Sequence, residues 1–128
     1  MTGGVGAVGY RDRMVDSVPT LDVDPQEARR MAEAGALLLD VREDDEWDAG
    51  HAPGATHLAM GLVPDHLGEI PADRTVVCVC RVGGRSGAVA EALVGAGFDA
   101  RNLAGGMVAW EHDGLPVTTD RGSAGRIV

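Results

Sequence analysis

Two apolar runs dominate the hydropathy pattern: Ala36 to Val41, broken only by Asp40, and Thr75 to Val79. Neither alternates, which predicts strands buried on both faces in the middle of a parallel sheet. Ala55 to Ala59 and Phe98 to Leu103 predict two shorter or flanking strands. Asp24-Pro25-Gln26-Glu27 predicts a helix start, with Asp24 as N-cap, Pro25 at the first helical position and Glu27 three residues after the cap. That helix should run to about Ala34 and stop at Gly35. Glu43 to Asp48 predicts a short acidic helix and Gly61 to Leu67 a helical turn. Ser86 to Ala96 predicts a small-residue helix ended by Gly97, and Met107 to Glu111 a last helix before the Gly114-Leu115-Pro116 turn. Strands alternating with helices require right-handed crossovers, so the pattern predicts a three-layer α/β domain. Met1 to Asp16 is glycine-rich and without period, the composition of a mobile tail.

In α/β sheets of this kind ligands sit at the carboxyl ends of strands, and the Thr75 to Val79 run ends at Cys80. The stretch that follows, Arg81-Val82-Gly83-Gly84-Arg85-Ser86, reads as a tight loop leading into a helix. A thiol at that junction lies among backbone N–H groups at the positive end of a helix dipole, which favours thiolate over thiol. Cys80 is therefore the candidate nucleophile. If residues 81 to 86 curl around it, their N–H groups converge on the sulfur and stabilise negative charge there. Gly83 and Gly84 permit the positive φ values that such a curl requires. Arg81 and Arg85 supply charge for an anionic ligand.

This loop resembles the active-site loop of rhodanese-like sulfurtransferases. Leu38-Leu39-Asp40-Val41-Arg42-Glu43 through Trp47-Asp48-Ala49-Gly50-His51-Ala52-Pro53-Gly54-Ala55 resembles the family's upstream motif. Leu103-Ala104-Gly105-Gly106-Met107-Val108-Ala109-Trp110 with Gly114-Leu115-Pro116-Val117 resembles its C-terminal one. The resemblance spans roughly Val18 to Thr118, one copy of the domain. It implies a rhodanese-like fold with a central, mostly parallel five-stranded sheet flanked by helices. It also implies a glycine-rich tail over residues 1–17, the domain over 18–120 and a C-terminal tail over 121–128. The implied chemistry is a two-step displacement. Cys80 takes sulfur from thiosulfate or a similar small anionic donor, then passes it from a persulfide to cyanide, a thiol or a protein acceptor. Loop residues Arg81, Val82, Gly83, Gly84, Arg85 and Ser86 would bind the donor. Asp40 and Arg42 would support the neighbouring loop, and His51 would serve as a structural histidine in the Gly-His-x-Pro-Gly turn. Glu46 falls where some larger rhodaneses place a basic substrate-binding residue, which weighs against thiosulfate as the best donor.

Two other readings compete. Cysteine-dependent phosphatases and arsenate reductases of the same fold need a loop that encircles a larger oxyanion, with five residues between cysteine and arginine. Here Cys80 and Arg85 are separated by four, a loop better matched to a sulfur atom. A sulfur-carrier, sensor or partner-binding module without turnover would use the same cysteine.

Composition narrows the field. All eleven basic residues are arginines, so lysine-dependent Schiff-base and P-loop chemistry are excluded. A formal charge of −9, from twenty acidic against eleven basic residues, argues against nucleic acid as a partner. No run approaches a membrane span of roughly 18 apolar residues, and no signal-peptide pattern opens the chain, so a cytoplasmic location is expected. Cys78 and Cys80, two positions apart in an extended run, form no disulfide framework, and Cys78 reads as a small core hydrophobe. That spacing also lacks the pattern of a zinc site, and neither a metal nor another cofactor is expected. Trp47 and Trp110 read as core or rim packing, while His57, His66 and His112 form no evident group.

Overall fold

A computed structural model describes residues 20–128. Five strands form one sheet: β1 (Asp22–Val23), β2 (Leu37–Asp40), β3 (Thr56–His57), β4 (Val76–Val79) and β5 (Ala100–Leu103). Their spatial order is β1-β5-β4-β2-β3, and every pairing is parallel. The two apolar runs thus become adjacent inner strands, with Leu37 opposite Val76 and Asp40 opposite Val79. Parallel strands need crossovers, supplied by α1 (Pro25–Glu33), α2 (Asp44–Ala49), a 3-10 segment over Met60–Glu69 and α3 (Gly84–Gly95), while α4 (Gly106–His112) follows the last strand.

Alternation along the inner strands divides the core between two faces. Leu39, Val41, Val76, Cys78 and Cys80 pack with Val63 of the 3-10 segment and with Val89 and Leu93 of α3. Leu38, Val77, Val79 and Leu103 pack with Ala28 of α1 and with Met107 and Trp110 of α4. Helices on both faces of the sheet make the three layers that the pattern predicted. The α1 cap forms as expected, the Asp24 carboxylate accepting from Glu27 N–H at 2.8 Å.

Several details depart from the sequence expectations. β1 was not foreseen, because two residues at a sheet edge carry no periodicity. α3 starts at Gly84 rather than Ser86, which places Arg85 and Ser86 in its first turn. The helical turn near Gly61 extends to Glu69 across Pro64, with a break at His66. Residues 121–128, set apart as a tail, pack back on the domain: Arg126 N–H reaches Ala49 O at 2.9 Å and Ile127 joins the core face of Trp110. Glycines allow this close approach, since a Cβ on Gly50 would stand 2.6 Å from Arg126 N. The tail assigned to residues 1–17 lies outside the described residues.

Candidate active site

Cys80 directly follows β4 at the carboxyl edge of the sheet and is only 1% exposed. Gly83, at φ 104°, turns the chain back so that its N–H donates to Cys80 Sγ at 3.0 Å. The Ser86 hydroxyl lies 3.2 Å from the same sulfur. Burial pushes the thiol pKa up. Hydrogen bonds from the Ser86 hydroxyl and from the N–H groups of Ser86, Gly83 and Val82 together outweigh it, holding Cys80 below the ordinary thiol value. Cys78, on the same strand face, has no such donors; burial, and then the charge on Cys80, push it up to about 12. The donors around Cys80 thus favour its thiolate, while burial disfavours that of Cys78.

The loop is clamped from β5 and α4. Asn102 Nδ2 donates to Asp22 Oδ1 at 2.9 Å and to Gly83 O at 3.2 Å, while its Oδ1 lies 2.6 Å from Ser86 Oγ. On the other side, Met107 N–H donates to Cys80 O at 2.8 Å and Val108 N–H to Arg81 O at 3.0 Å. The Gly105-Gly106 pair makes this possible: both have positive φ, and a Cβ on Gly106 would stand 2.5 Å from Cys80 O. Residues of the upstream motif complete the surroundings. Asp40 and Arg42 form a buried ion pair at 2.7 Å, and Arg42 Nη2 also donates to Gly50 O. Arg42 Nη1 is enclosed without an acceptor among the described residues, so Asp40 and the Gly50 carbonyl hold the charge.

The two loop arginines differ. Arg81 is exposed and its Nε donates to Val128 O at 2.9 Å. Arg85 is held by Glu46 through two hydrogen bonds of 2.8 and 2.9 Å. This bond to Arg85 drives the Glu46 carboxyl down to about 2 and holds Arg85 above its ordinary value. Val82 points into solvent at the loop tip, and Gly84 begins α3.

Both ring nitrogens of His51 are engaged by other residues: Nδ1 bonds Trp47 O at 3.0 Å and Nε2 lies 3.2 Å from Asp120 Oδ1. Its ring stacks on Trp47 at 3.5 Å, and His57 stacks on the same indole at 4.9 Å. Sequence reasoning left His57 ungrouped and overlooked Asn102, since neither residue carries a local pattern. Among the described residues no cluster of His, Cys, Asp and Glu is arranged to hold a metal, and no helix is long and apolar enough to cross a membrane.

Comparison with known proteins agrees with this geometry. Residues 24–113 match the rhodanese-like domain family. A sulfurtransferase of Allochromatium vinosum is 39% identical over 97 residues, covering 74% of this chain and 91% of its own. The thiosulfate sulfurtransferase GlpE of Pseudomonas syringae is 35% identical over 89 residues, covering 69% and 84%. In fold, a rhodanese-related protein from Thermoplasma volcanium superposes with a TM-score of 0.74 at 23% identity, over 77% of this chain and 98% of that one. The five-stranded parallel sheet and the sequence matches together make this chain a member of the rhodanese-like sulfurtransferase family.

Proposed function

We propose that the protein moves a sulfane sulfur from thiosulfate or a similar donor to a thiophilic acceptor through a persulfide on Cys80. The observation that carries this reading is the convergence of the Gly83 N–H and the Ser86 hydroxyl on Cys80 Sγ. These donors serve the thiolate first. They then serve the persulfide anion and the charge that develops on the departing group.

In the first step the Cys80 thiolate attacks the outer sulfur of the donor. The new S–S bond forms as the bond to the leaving group breaks, and the electron pair departs on sulfite when thiosulfate is the donor. In the second step the acceptor, such as cyanide, a thiol or a protein cysteine, attacks the outer sulfur and Cys80 leaves as a thiolate. Donors that favour the thiolate lessen the need for a general base, which leaves His51 a positioning role in the turn after α2. Arg81 draws the anionic donor toward the loop N–H groups. A reducing compartment such as the cytoplasm suits the two free cysteines.

Intact mass before and after incubation with thiosulfate, then with cyanide, tests the reading on wild type and Cys80→Ser. Wild type should gain one sulfur that cyanide removes, and Cys80→Ser should gain none. Unimpaired sulfur transfer by Cys80→Ser would overturn it.

A further inference from the structure

Glu46 stands at the third position of α2, its side chain 15% exposed, and is fixed at three points. Its Oε1 accepts from Glu43 N–H at 2.9 Å and from Arg85 Nη1 at 2.8 Å, while Oε2 accepts from Arg85 Nη2 at 2.9 Å. The carboxylate is therefore oriented by the helix cap and meets the guanidinium edge to edge. Arg85 directly precedes Ser86 in the first turn of α3, and the Ser86 hydroxyl lies 3.2 Å from Cys80 Sγ, so the Arg85–Glu46 pair stands beside the loop that holds the sulfur. The positive charge of Arg85 is already compensated. Glu43, Asp44 and Asp45 crowd the same turn, Asp44 with a side chain 91% exposed, and the other loop arginine, Arg81, donates through Nε to Val128 O at 2.9 Å.

Donor charge now decides which sulfur source fits. Attack of the Cys80 thiolate on thiosulfate gathers one negative charge from the enzyme and two from the donor, and expels a sulfite dianion. Attack on a thiol persulfide gathers less and expels a single thiolate. A mouth with one guanidinium spent on Glu46 penalises the first far more than the second.

We propose that Glu46, acting through Arg85, is a specificity-determining residue that turns the site from small dianionic donors toward thiol persulfides. The inference rests on Cys80 persulfide chemistry. Its loading step is balanced: R–S–SH and the Cys80 thiolate give Cys80–S–SH and R–S⁻. The Cys80–sulfur bond forms, the donor S–S bond breaks with its electron pair leaving on R–S⁻, and the terminal proton stays with the transferred sulfur. No oxidant or reductant is required.

The test is the second-order rate of sulfur loading on Cys80, followed by intact mass, with thiosulfate and with cysteine persulfide as parallel donors. Wild type, Glu46→Gln and Glu46→Ala are compared at low and high salt. Removing the carboxylate charge should raise the thiosulfate rate by about tenfold at low salt and less at high salt, with cysteine persulfide changed less than about twofold. The ratio of the two rates within one variant cancels any shared loss of folded protein, and a merely structural role would move both donors alike. An unchanged ratio in both variants, with wild type loading normally, overturns the role of Glu46 alone. Wild type that loads from neither donor overturns the persulfide reading and this inference with it.

Discussion

Replacing Ser86 by alanine tests how the thiolate is held. The Ser86 side chain is fully buried in the first turn of α3, with its Oγ 3.2 Å from Cys80 Sγ and 2.6 Å from Asn102 Oδ1. A hydroxyl has one proton, and both neighbours are acceptors when Cys80 is ionised. Asn102 cannot turn its amide, because Nδ2 is committed to Asp22 and to Gly83 O. The hydroxyl is thus shared. A full hydrogen bond to a charged group is worth roughly 1.5–3 kcal/mol, so a shared one contributes about 1.4 kcal/mol, or about one pKa unit. Loss of a thiolate donor raises the pKa, while the N–H donors of residues 82, 83 and 86 remain. Iodoacetamide alkylation in a Cys78→Ala background should therefore show its inflection displaced about one unit to higher pH in Ser86→Ala. Below both inflections the rate should fall about tenfold, and on the alkaline plateau it should be unchanged. An inflection displaced by less than about 0.3 unit would refute the reasoning: the proton would then belong to Asn102, and the backbone alone would hold the thiolate.

Gly106→Ala should cost about 2–4 kcal/mol in urea unfolding, because φ is 62° and a Cβ would push against Cys80 O, disrupting the two bonds from α4 to the loop. Asp40→Asn should cost about 3–5 kcal/mol by the same assay, since it leaves the buried Arg42 guanidinium without its counter-charge. Acid should weaken the fold through Glu46. Its carboxyl is lowered from 4.5 to about 2 in the folded state, so the stabilisation is present above pH 4.5 and lost as pH falls toward 2. Urea midpoints of wild type and Glu46→Gln should accordingly differ at neutral pH and converge over that acid window.

What consecutive residues determine was readable without coordinates. Two apolar runs specified the inner strands, because burial on both faces demands unbroken hydrophobicity. The Asp24-Pro25 pair specified a helix start, and a cysteine before glycines and arginines specified a strand-to-helix loop around a thiol. Asp40 and Arg42, two apart in an extended run, fall on the same side of the chain. Other decisions belonged to the tertiary structure. Asn102 reaches Ser86 only because β5 lies beside β4. Gly106 supports Cys80 only because α4 begins where the loop turns, and Glu46 meets Arg85 across 39 residues of sequence. The two residues of β1 and the return of residues 121–128 are likewise set by what they pack against. Local pattern encodes which segments form strands, helices and turns. Which side chains then share a proton or cancel a charge depends on strand order and backbone approach, and these are settled only when the whole sheet assembles.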